Sequence, residues 1–128
     1  MAAVIGASIG ISTFFHLQHS ESTEEKLVQT SKDLNARLPL NVDSDTRWDT
    51  TVPGPGKCLT YCYTFINVSK SEIDSSEVTA KMKAKLVANY RTSPDMKLFR
   101  DNHVTVRFMF KDKMGETVTL IELTPDDL

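Results

Sequence analysis

The sequence predicts an α+β fold: a two-layer sandwich with about four antiparallel strands in the order α-ββ-αα-ββ, after an apolar N-terminal helix. Three patterns predict it. Leu59, Tyr61, Tyr63 and Phe65 alternate with Cys58, Thr60, Cys62 and Thr64, so one face of that stretch is wholly apolar. Val104, Val106, Phe108 and Phe110 alternate in the same way with Thr105, Arg107, Met109 and Lys111. Before and between these stretches, apolar residues recur every three or four positions, as in a helix that buries one face. The 128 residues suit one domain. We divide them into an apolar segment, 1–19, expected to anchor the chain in a membrane, and a single α+β domain, 20–128.

The first segment carries no Asp, Glu, Lys or Arg. Val4, Ile5, Gly6, Ile9, Gly10, Ile11, Phe14 and Phe15 dominate it, and Met1 to Leu17 just reaches the ~17-residue lower limit for a spanning helix. Gly6 and Gly10 form a G-x-x-x-G pair that lets helices approach closely in lipid. A signal peptide would want a basic residue at its start, and none occurs before Lys26. A packed soluble helix would want a polar face, for which Ser8, Ser12 and Thr13 are the candidates.

A helix is expected from Ser20 to Leu38. Ser22 and Glu25 have the spacing of a capping box, and Leu27, Ser31, Leu34 and Leu38 form a narrow buried stripe. Pro39 stops it. A polar loop follows. Its Asp43, Asp45 and Asp49 lack the glycine and terminal glutamate of a calcium loop, so they read as a solvated turn. Thr46, Trp48 and Thr50 then alternate with Arg47, Asp49 and Thr51, a short strand with Trp48 turned to the core. Pro53-Gly54-Pro55-Gly56 is a turn joining it to the Leu59–Phe65 strand as a hairpin. A phosphate cradle would need a helix there, and a strand follows.

The second helix is expected from Glu77 to Tyr90, capped by Ser75 or Ser76, with Val78, Met82 and Leu86 inward and Lys81, Lys83 and Lys85 in solvent. Ser93-Pro94-Asp95 opens a short third helix ending near Asn102, with Met96, Leu98 and Phe99 inward. The strand after Val104 turns back at Asp112 to Gly115, where Gly115 takes the left-handed position, and Thr117 to Leu123 returns.

Fifteen basic and 17 acidic residues nearly cancel, to a formal net of -2. That leaves no basic footprint for nucleic acid. Cys58 and Cys62 lie four apart on one strand. Such a spacing spans about 13 Å, beyond the ~7 Å reach of a disulfide between Cα atoms. No second Cys or His cluster completes a metal site, and no cofactor motif is present.

Three segments also carry a resemblance: Asn35-Ala36-Arg37-Leu38-Pro39-Leu40, Ser93-Pro94-Asp95-Met96-Lys97, and Val104-Thr105-Val106 with the hairpin that follows. In these, and in element order over 26–128, the chain resembles small bacterial envelope proteins that include the beta-type type II secretion pilotins. None of the shared motifs is catalytic, and the resemblance implies the fold. Pilotins are lipoproteins with a cysteine just after the signal sequence. No cysteine precedes Cys58 here, so lipidation is not expected. Relatives often pair one cysteine near the Ser93-Pro94 helix with another near the C-terminus. Tyr90-Arg91 and Asp127-Leu128 hold those places here.

The function expected is non-enzymatic: a membrane-tethered, protein-binding domain of the bacterial cell envelope. It would be anchored in the inner membrane through 1–19, with the domain facing the periplasm. Its partner is an unidentified envelope protein, and homo-oligomerisation stays open. Arg47, Trp48, Cys62 and Met109 are the candidate binding residues, on an exposed sheet face. The alternative is a soluble domain that holds a small ligand between sheet and helices, lined by Tyr61, Tyr63 and Phe108. A distant third is a hydrolase with Cys62 as nucleophile and His103 as base.

Overall fold

The computed structural model describes residues 22–127, so the apolar segment expected to anchor the chain lies outside the described residues. Helix α1 spans Thr23–Asn35, α2 Ser75–Thr92 and α3 Lys97–Asp101. The strands are β1 (Leu40–Asn41), β2 (Thr46–Pro53), β3 (Cys58–Phe65), β4 (Thr105–Lys111) and β5 (Thr117–Leu123), hydrogen-bonded in that order in one sheet. The α+β class and the order of long elements match the reading of the sequence.

Two features of the sheet differ from it. Among the described residues there are five strands, because a two-residue strand, β1, pairs with Trp48 and Arg47 of β2. A strand that short leaves no periodicity to read. The sheet is also mixed. β2 pairs with β3 and β4 with β5 antiparallel, but β3 and β4 run parallel. The chain leaves β3, crosses through α2 and α3 and re-enters β4 in the same direction, which only a long crossover allows.

α1 is shorter than expected. Its start is as read: Ser22 and Glu25 cap each other, the Glu25 N–H donating to Ser22 Oγ at 3.2 Å. Its end falls at Asn35, before Pro39 is reached. The Arg37 and Leu38 N–H groups close a tight turn on Leu34 and Asn35 instead, ahead of a cis Leu38–Pro39 bond. α2 is longer than expected, and Asp74 caps it rather than a serine, accepting from the Ser76 and Glu77 N–H groups. Ser93 caps the short turn that precedes α3.

One face of the sheet is covered. Trp48, Tyr61, Tyr63, Phe65, Phe108 and Phe110 from the strands pack with Leu27 and Leu34 of α1, Leu86 and Tyr90 of α2, and Phe99 of α3 in a single buried cluster. The rings form a ladder across the strands: Trp48–Tyr61 at 5.3 Å, Tyr61–Phe108 at 5.3 Å and Tyr63–Phe110 at 5.1 Å between centroids. Such contacts add to the burial itself. Tyr90 OH donates to the Val104 carbonyl at 2.9 Å, whereas Tyr61 OH, Tyr63 OH and Trp48 Nε1 have no partner among the described residues.

α1 closes the β2 edge with side chains. Asn35 Oδ1 accepts the Thr51 N–H at 2.8 Å, and Asn35 Nδ2 donates to the Thr51 carbonyl at 3.0 Å. Ser31 Oγ adds a bond to that carbonyl. The amide of Asn35 thus does for Thr51 what a neighbouring strand would.

The β4–β5 turn rests on Asp112, which is buried. Its carboxylate accepts the backbone N–H groups of Lys70, Met114 and Glu116, tying the loop before α2 to the hairpin. Gly115 takes φ +85° in that turn, as its position in the sequence predicts. Burial pushes the Asp112 carboxyl up, but the backbone donors outweigh it and hold it below its ordinary value of 3.8. A lowered folded pKa stabilises the fold at pH above 3.8. That contribution is lost as the pH falls through the lower folded value. Asp112→Asn is therefore expected to lower Tm at pH 7 and to differ less from the parent in strong acid. Thermal melts of both proteins between pH 7 and 2 check it, and an equal Tm loss at every pH would contradict it.

Candidate functional site

The uncovered face of the sheet is built by register. Thr50, Cys62, Met109 and Leu120 lie side by side across β2 to β5. Val52, Thr60, Arg107 and Glu122 form the next row, and Arg47, Thr64 and Lys111 another. Leu120 is 50% exposed and Val52 48%, while Cys62 and Met109 are half-buried. The face is an apolar band with polar rows beside it. Arg47 Nε pairs with Asp49, which also accepts from Thr64 Oγ1, and Arg107 Nε pairs with Glu122 across β4 and β5. Pairs this exposed contribute about 0–1 kcal/mol each and mainly fix side-chain positions.

A bulge sets this face. The pairing steps from Trp48↔Tyr63 to Thr50↔Cys62, leaving Asp49 as the extra residue of β2. Past it the parity reverses, so Thr51 faces the core and Thr50 faces out. The uninterrupted alternation expected from Thr46 to Thr51 is corrected accordingly.

Of the residues singled out from the sequence, Arg47, Cys62 and Met109 fall together on this face. Trp48 does not. It is 1% exposed, stacked on Tyr61 and Tyr63, and offers nothing to a partner there. Val52 and Leu120 were missed. Leu120 had a signal: it adjoins Ile121, and two adjacent apolar residues of a strand cannot share a face. Ile121 is buried, so Leu120 is the one turned out.

The other site expectations are not met. Tyr61, Tyr63 and Phe108 are at most 1% exposed and fill the core rather than line a ligand pocket. Cys62 lies opposite Met109 on β4, whereas His103 precedes that strand. At about 3.3 Å per residue the two are roughly 15–20 Å apart. Burial pushes the Cys62 thiol up, with Lys111 opposing and Asp49 reinforcing, the reverse of an activated nucleophile. The three aspartates are spent separately. Asp43 accepts the Asp45 N–H, Asp45 accepts from Asn67 Nδ2, and Asp49 holds Arg47 and Thr64.

Fold and face together define a small α+β domain whose sheet is covered on one side only by the described residues. The same fold occurs in type II secretion pilotins: EpsS of Vibrio vulnificus (TM-score 0.65, 10% identity, 81% of this chain and 89% of that one) and AspS of Vibrio cholerae (TM-score 0.62, 10% identity, 94% and 100%). It also occurs in a Pseudomonas aeruginosa protein described as secreted (TM-score 0.64, 12% identity, 92% and 95%). At these identities the likeness concerns the fold. No curated protein matches the sequence. The chain belongs to the family described as domain of unknown function DUF8479, which matches residues 22–120.

Proposed function

We propose that this is a non-enzymatic, protein-binding domain of the bacterial cell envelope that receives its partner on the open face of its sheet. The observation that carries the reading is the band formed by Cys62, Met109 and Leu120, with Val52 beside it. It includes Leu120 and Val52, two of the large apolar side chains left exposed, and the ion pairs Arg47–Asp49 and Arg107–Glu122 border it. Burying such a band stabilises a complex, and the bordering charges favour one orientation of the partner. The fold shared with pilotins supports an envelope setting.

Segment 1–19 supplies the tether in this reading, in the inner membrane with the domain on the periplasmic side. Among the described residues no helix is long and apolar enough to cross a membrane, so tethering rests on that segment.

The test is photocrosslinking in cells with the full chain. A photoreactive residue at Leu120 is expected to capture a discrete envelope protein, and one at Val28, exposed on α1, is not. Met109→Lys should abolish capture from Leu120. Met109 is only half-buried, so its effect on stability is expected to be about 1 kcal/mol. Equal capture from both positions, or capture indifferent to Met109→Lys, would sink the assignment.

A further inference from the structure

A second site lies away from the sheet face, where α2 and α3 end. Tyr90, Arg91, Arg100, His103, Pro125 and Asp126 line a cleft of about 490 Å³. That volume falls in the range of small-molecule sites, and the cleft is open to solvent. Among the described residues that line it, two guanidinium groups and an imidazole face one carboxylate. Arg100 is anchored: its Nη1 donates to the Tyr90 carbonyl at 2.7 Å and the Ser93 carbonyl at 2.9 Å. Its remaining N–H donors have no acceptor among the described residues, and neither does the Arg91 side chain. A guanidinium held in place with donors to spare is a preformed fork for a planar two-oxygen anion.

We propose that this cleft binds a small monocarboxylate, with its oxygens on Arg91 and Arg100 and its aliphatic stem against Pro125. Asp126 on the same wall offsets part of the positive charge, which weakens the pull on a doubly charged phosphate more than on a single charge. His103 enters the wall in the left-handed conformation at φ 56°, its N–H bonded to the Arg100 carbonyl at 3.2 Å, so the histidine and the fork are set by one turn.

The test uses the full chain and follows the side-chain NMR signals of Arg91, Arg100 and His103. Butyrate, its neutral isostere butyramide, and inorganic phosphate are titrated separately. Butyrate is expected to shift all three signals saturably, butyramide to leave them unmoved, and phosphate to bind more weakly. Arg91→Gln should weaken butyrate about tenfold, the scale of one charge-assisted hydrogen bond. Arg91 is the residue to change because its side chain bonds nothing among the described residues, so the fold is expected to survive its loss. Equal shifts with butyramide, tighter binding of phosphate, no shift with butyrate, or an unchanged affinity in Arg91→Gln would each overturn the proposal. None of these results bears on crosslinking at Leu120, which reads a different surface.

Discussion

Replacing Trp48 with alanine is expected to lower the free energy of unfolding by about 3–5 kcal/mol, the usual range for a large buried aromatic cut to a methyl. The side chain is 1% exposed and stacks on both Tyr61 and Tyr63, at 5.3 and 6.1 Å. The rings around it are held by strands on two sides, so the cavity cannot collapse. A domain of this kind has roughly 5–15 kcal/mol in all, and the variant should stand near unfolding at room temperature. Trp48→Phe should cost far less. It refills most of the space, and the indole Nε1 it removes has no hydrogen-bond partner among the described residues. Urea denaturation of the three proteins decides it. A Trp48→Ala midpoint close to the parent's would mean that the ladder is not what holds the layers together.

The second large effect lies at Asn35. Asn35→Ala removes the bonds to the Thr51 N–H, carbonyl and hydroxyl. At about 1 kcal/mol net for each, and with a buried N–H left unpaired, the loss is expected to reach about 2–4 kcal/mol. Asn35→Asp keeps the acceptor but sets a carboxylate oxygen against the Thr51 carbonyl, so at neutral pH it should cost at least as much as Asn35→Ala. Amide exchange at Thr51 gives the local readout. Its protection should drop in Asn35→Ala more than that of any β4 amide, and uniform loss across the sheet would count against the edge role.

Much of this was legible beforehand, for identifiable reasons. β3 and β4 could be read because every second residue is large and apolar, and the buried rings are those the alternation selects. The start of α1 could be read because a capping box uses residues three apart. The parallel join of β3 to β4 was not, since alternation says which face a residue takes and nothing about strand direction. The two helices between the hairpins were the available signal, for a crossover of that length can carry the chain back to the end of the sheet where β3 began. The bulge at Asp49 was hidden as well, and with it the outward turn of Val52. Asn35 gave no sign, because its partner lies 16 residues away. The candidate face was legible in three of its residues, those the register keeps in phase, and failed at Trp48, whose size suits a core and an interface equally.

The parallel seam also says how the chain must assemble. Each hairpin closes between strands near in sequence, and so does the contact of α1 with β2. Cys58 meets Thr105 and Thr64 meets Lys111 only across the whole length of α2 and α3. The entropy of closing that loop has to be overcome before any seam contact forms. The row from Cys62 to Met109 crosses that seam, so the seam contacts are expected to form late and the face proposed for a partner is complete only once they have formed.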